Sequence, residues 1–280
     1  MSLKSIAFSA MAVLALSSSV VAADFELTQS VTVAPYDFKV DIVGIEPGMK
    51  AEAAMAVLGE RKPDKEIRSS SARIGNRTVS SQSFDDLYYV WEREKEEINV
   101  YLTSPSTGNE VFAASRALDF WHDDKPDFGK TIAALVQKYG EPSAREEILP
   151  DPKYINKKSK SVTLMWYLGG EGKCELTQFD SMVGKLSTVC TETRHKTGPS
   201  VSDYAYTPRR AEEYANAATA GSDVVLVATM YNHDGSERIS RMTTSFTDLK
   251  RRSLTVKADM AAIEAAQAEF DNIKVDAPDL

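Results

Sequence analysis

Cysteine is scarce in this chain, at 2 residues in 280, and histidine is hardly commoner, at 3. No His-x-His, His-Glu-x-x-His or Cys-rich spacing occurs, so the usual frameworks for zinc are excluded. Walker A and Gly-x-Gly-x-x-Gly loops are missing, as is a Gly-x-Ser-x-Gly nucleophile elbow. An excess of basic residues is also missing. The formal net charge is −8, which argues against general nucleic-acid binding, since that runs on phosphate neutralisation by Lys and Arg. One further lack is a long apolar run. Ile6 to Leu16 is apolar or small, but falls short of the ~20 residues a membrane span needs.

That short run has a positive start at Lys4 and is followed by small residues, with Val21 and Ala23 at the positions before a cleavage point. The pattern predicts a secretory signal peptide over residues 1–23, with Asp24 opening a periplasmic or secreted mature chain. The 257 residues left (280 − 23) suit one large domain or two small ones. In an exported chain, two cysteines predict one disulfide, Cys174 to Cys190. Both lie in a stretch that reads as a three-stranded meander. Leu164 to Leu168 is a strand, Gly169-Gly170-Glu171-Gly172 a turn, and two more strands follow around a turn at Asp180 to Lys185.

The rest of the chain alternates helix and strand signals. Phe25 to Val33 and Phe38 to Val43 alternate as strands, and Lys50 to Gly59 is an Ala-rich helix stopped before Pro63. Glu66 to Gln82 is polar and serine-rich, an exposed loop or a weak edge strand. Leu87 to Trp91 and Ile98 to Thr103 are strands, and Glu110 to Phe120 reads as a strand, with a helix through Val111, Ala114, Leu118 and Trp121 as the alternative. Asp127 caps a second helix with Phe128, Ile132, Leu135, Val136 and Tyr139 on one face, closed by Gly140 and Pro142. Arg209 to Ala220 is a short helix. Val224 to Tyr231 and Ile239 to Phe246 are strands joined by an Asp234-Gly235 hairpin turn, and Asp248 to Asn272 is helical.

Laid over each other, the halves match at offsets of 75 to 79 residues: Pro63 with Pro142, Trp91 with Trp166, Gly108 with Gly184. This predicts an α+β fold of two tandem repeats, each a helix plus antiparallel sheet. The first repeat covers 24–121. The second covers 122–280 and adds a C-terminal hairpin and helix. Gly44-Ile45-Glu46-Pro47-Gly48-Met49-Lys50 with Val57-Leu58-Gly59, and Leu135 to Pro142 in the second half, resemble the repeat of the beta-lactamase inhibitor protein family and of the outer-membrane assembly factor BamE. The resemblance covers about Phe38 to His195. It implies a helix packed on an antiparallel sheet and a protein-binding role, and it carries over no functional residue. The chain departs from both families, lacking the lipid-bearing cysteine of the one and the further cysteines of the other.

Tyr88-Tyr89-Val90-Trp91 and Leu164 to Leu168 are apolar on both alternating faces. One face packs under helices. The other is covered by the added C-terminal helix or carries a partner. Tyr89, Trp91, Trp166 and Tyr167 are therefore the candidate partner-binding residues, since Trp and Tyr dominate binding hot spots. His122, His195 and His233 fall in turns, and no residue is singled out as catalytic or metal-binding. No cofactor is implied. The expected function is a non-enzymatic exported binding or envelope-assembly module with a protein partner. The alternative is a periplasmic hydrolase or cell-wall enzyme, which needs two carboxylates about 5–10 Å apart. A small-molecule or polymer binder would need an apolar pocket between the repeats.

Overall fold

The computed structural model describes residues 31–61, 66–74, 77–91, 94–103, 107–121, 125–149, 159–174, 177–180, 185–188, 216 and 221–275. Residues 1–23, where a signal peptide is expected, His122, His195, Cys190 and nearly all of the expected helix over 209–220 lie outside them.

The fold is mixed α+β. Three helices are described, α1 (Ala51–Arg61), α2 (Phe128–Tyr139) and α3 (Leu249–Val275). The strands are β1 (Glu66–Ile74), β2 (Arg77–Trp91), β3 (Glu94–Leu102), β4 (Val111–Phe120), β5 (Ala144–Ile148), β6 (Lys160–Leu168), β7 (Thr177–Asp180), β8 (Lys185–Thr188), β9 (Val224–Asn232) and β10 (Arg241–Asp248). Eight of them form one sheet in the order β1-β2-β3-β4-β10-β9-β6-β5, every neighbouring pair antiparallel. Among the described residues, the remaining two pair only with each other.

That last point corrects the three-stranded meander. After the Gly169–Gly172 turn the chain leaves the sheet, and β6 takes β9 as its neighbour instead of β7. Leu168 to Val224 is a full register match, so the apolar run Val224 to Ala228 completes the core beside β6. One other expectation changes. Phe38 to Val43 forms no strand. Val43 and Gly44 both adopt positive φ, which reverses the chain so that Ile42 bridges to Ile45. The serine-rich stretch becomes β1 and the first part of β2, with β1 at the sheet edge.

Alternation then decides which side each strand residue serves. On the inner face, Trp166, Leu226, Phe246, Ala114 and Val100 stand in one cross-strand row through five strands. All are buried, and they share a core with Ala54 and Leu58 of α1, Phe128 and Leu135 of α2, and Val40, Ile42 and Ile45 of the N-terminal segment. The sequence positions α2 as expected. Asp127 accepts a hydrogen bond from the Lys130 amide at 3.0 Å, which satisfies one free donor of the first turn. Gly140 ends the helix at φ 81°, a conformation glycine adopts without strain.

The opposite, outer face is covered at one end by α3. Leu249 packs with Met165, Val225 and Val227. A bulge leaves Phe112 without an opposite residue on β3, and the Arg252 guanidinium sits 5.7 Å from the centre of its ring. The layers are therefore α1 and α2, then the sheet, then α3.

Candidate functional site: the outer face of the sheet

Away from α3 the outer face is polar. One row runs Glu146, Thr163, Thr229, Thr243, Ala117 and Glu97. The next runs Ile148, Ser161, Tyr231, Arg241, Asp119 and Lys95. Threonine, serine and tyrosine suit a pleated surface that meets water, so the pattern follows from β-branched and aromatic strand preference with a polar tip. Thr163 and Thr229 hydroxyls lie 3.3 Å apart across the strands. Arg241 pairs with Asp119 at 3.3 Å, and the His233 ring stands edge-on to Tyr231 at 4.5 Å. Ile148 at one end of this row is 53% exposed, and Trp121, the residue after β4, is 56% exposed. Two large apolar groups thus flank a row of aromatic and charged side chains.

The sequence-predicted residues divide between the two faces. Trp166 is a correction. It is 1% exposed, tilted against Tyr139 at 5.7 Å, and donates its indole N–H to the Gly140 carbonyl at 2.9 Å. It fastens α2 to the sheet and offers no docking surface. Tyr167, one residue on, belongs to the outer face, half-buried beside Met165 and Cys174. Burial, with the Glu146 carboxylate second, holds its phenol above the usual tyrosine range. Tyr89 and Trp91 lie in the last turn of β2's course, where its pairing with β3 is irregular, and their surroundings lie outside the described residues. His233 is exposed on the β9–β10 loop. Among the described residues, no group of three or more His, Cys, Asp or Glu could hold a metal ion. No described helix is long and apolar enough to cross a membrane.

A second polar cluster, at the start of α3, was missed from sequence. Asp248 is fully buried and accepts from the Tyr36 hydroxyl at 2.7 Å, the Arg251 amide at 2.7 Å and the Arg251 Nε at 3.1 Å. Arg251 also pairs with Glu110, which Lys50 meets from outside at 2.8 Å. Gly48 lies hard against this guanidinium. A Cβ there would come within 2.5 Å of its Nη2. Burial is the main reason the Asp248 carboxyl is held above its usual range, and Tyr36 and Arg251 act against it. Both carboxylate oxygens of Asp248 accept from neighbours and Arg251 reaches on to Glu110, so the cluster clamps the N-terminal segment, the start of β4 and α3 together. The available signal was an Asp three residues before an Arg at a helix start.

On the outer face Glu97 and Asp119 stand diagonally on neighbouring strands, about 7–8 Å apart, with Asp119 paired to Arg241, while other carboxylates are bridged or far apart. Glu110 and Asp248 are spanned by Arg251. On the outer face, Glu146 of β5 and Asp119 of β4 are separated by four strand steps. At about 4.8 Å per step that is roughly 19 Å, well beyond the reach of a shared glycosidic bond. Comparison of the chain with family models, with curated proteins and with solved structures finds no match.

Proposed function

We propose that this chain is an exported, non-enzymatic binding or assembly protein of the cell envelope, and that a protein partner docks on the open end of the outer sheet face. The observation that carries the reading is the Ser161–Tyr231–Arg241–Asp119 row, flanked by exposed Ile148 and Trp121. Aromatic and arginine side chains over a rigid sheet, rimmed by polar groups, are what protein interfaces concentrate at their centres. The test uses a Tyr231→Ala/Arg241→Ala variant in cross-linked capture from envelope extracts. We expect the partner band of the unaltered chain to disappear, while a Trp166→Phe variant keeps it. A band equally strong in the outer-face variant would remove the proposal.

The same reading includes a duplication. Helix α1 is followed by β1, β2, β3 and β4, and α2 by β5, β6, β9 and β10. The two sets meet where β4 pairs with β10. In this arrangement β7 and β8 are an insertion, and Trp91 and Trp166 both fall on the second strand of a unit. The resemblance to the beta-lactamase inhibitor protein and to BamE supports the binding role in the same terms.

A Cys174–Cys190 disulfide is part of the proposal. The hairpin pairs Thr177 with Thr188, and the two cysteines flank it three and two residues further out. Among the described residues there is no free cysteine. Closing a loop of this length stabilises by about 3 kcal/mol in the chain-entropy account. A Cys174→Ser/Cys190→Ser variant should lose about that much in urea unfolding, and reduction of the unaltered chain should lose the same. An unaltered midpoint after reduction would count against the bond.

A further inference from the structure

The most unusual segment is the ribbon of β1 and β2. β3 stops pairing with β2 at Ser83, opposite Tyr101. Beyond that, six register pairs from Ser69↔Gln82 to Ile74↔Arg77 continue with two strands alone. Six residues of strand span about 20 Å. Among the described residues, β1 pairs with no strand but β2, and β2 over 77–82 pairs with no strand but β1. A two-stranded ribbon is marginally stable in water, and an added strand stabilises it. Charged side chains and a covering helix protect such edges, and here three arginines and the approach of α3 to β1 supply only part of that protection. From Ile67 to Phe84 there is no proline, lysine, aspartate or glutamate.

The charge of the segment is equally distinctive. Arg68, Arg73 and Arg77 give it +3, in a chain whose total is −8. They stand at register positions opposite Ser83, Thr78 and Ile74, spread along the ribbon. Two such ribbons repel each other, which disfavours pairing with a second copy. An unpaired strand edge offers a ladder of main-chain donors and acceptors that another polypeptide matches and a lipid headgroup does not.

We infer that the β1–β2 ribbon takes up an extended, acidic polypeptide segment of another protein as an additional strand. This rests on the reading of the chain as a protein-binding module, but not on the outer face. The test measures fluorescence anisotropy of two labelled synthetic peptides, one alternating glutamate with valine and one alternating lysine with valine. Vesicles of anionic phospholipid are the third probe. The full mature chain should bind the glutamate peptide about tenfold more tightly than the lysine peptide, as three opposed charges at a surface would give. An Arg68→Gln/Arg73→Gln/Arg77→Gln variant, which removes charge without touching the backbone, should lose that preference. Ser71→Pro, which removes a ladder donor from β1, should weaken both peptides. The Tyr231→Ala/Arg241→Ala variant should keep the full preference, so failure of the outer-face site would leave this result standing. Equal affinity for the two peptides, an unchanged preference in the arginine variant, loss of it in the outer-face variant, or binding to vesicles alone would each overturn the assignment.

Discussion

Replacing Arg251 by methionine should destabilise the fold by about 3–5 kcal/mol, the usual cost of removing one partner from a buried ion pair. The side chain is 8% exposed and holds two carboxylates at once, Asp248 through Nε and Glu110 through Nη1. The two are not equivalent. Glu110 keeps Lys50 at 2.8 Å, whereas Asp248 keeps only the Tyr36 hydroxyl and the amide of residue 251. The deficit therefore falls on Asp248, and it should depend on pH. Burial already raises its carboxyl pKa, and the guanidinium is one of the groups opposing that rise. Removing it moves the folded-state pKa further up. A group that titrates higher in the folded state than its unfolded value of about 3.9 contributes stability that is complete below that value. The contribution is lost as pH rises through the folded-state pKa. The gap between variant and unaltered chain should thus be widest near neutral pH and narrow toward about pH 4. Urea unfolding at a series of pH values measures it. An Arg251→Met/Asp248→Asn variant should recover part of the loss at neutral pH, because no carboxylate is left buried without a cation. A pH-independent loss, or a loss below about 1 kcal/mol, would show that the cluster clamps nothing.

This cluster also marks the limit of what the sequence alone discloses. Local signals are sufficient for α1, α2 and α3 and for most strands, because periodicity, caps and hairpin turns act within a few residues of each other. Asp127 capping and Gly140 ending α2 are examples. What failed was pairing at a distance. Nothing local tells β6 to choose β9, some 60 residues on, over β7 immediately after it. The choice is made by Val224 to Ala228, an apolar run on both alternating positions that needs a place between two strands and two layers. The Tyr36–Asp248 bond joins residues 212 apart, so no window of sequence contains it. The outer face was half visible. Apolar alternation in β6 correctly implied two covered sides, but not that Trp166 would take the helix side and Tyr167 the other. That parity depends on register, which one residue of slip would reverse.

Trp166 is where this parity can be measured, because packing and docking assign it opposite results. Truncation to alanine removes the largest fully buried side chain among the described residues, the tilted ring contact with Tyr139 and the donor to the Gly140 carbonyl. Large-to-small changes of this kind cost about 3–5 kcal/mol. For a chain of this size that is about 10 °C in Tm. Trp166→Phe refills most of the volume and loses mainly the hydrogen bond, a cost of about 1 kcal/mol. It should therefore melt within a few degrees of the unaltered chain and bind its partner unchanged. Tyr167→Ala should behave the other way, with a smaller loss of stability and any binding defect that its outer position creates. The ordering distinguishes the two roles without knowledge of the partner. If Trp166→Ala melts like the unaltered chain yet loses capture, the indole is a docking residue after all. The inner row from Trp166 to Val100 would then need a different register from the one that places it under α2.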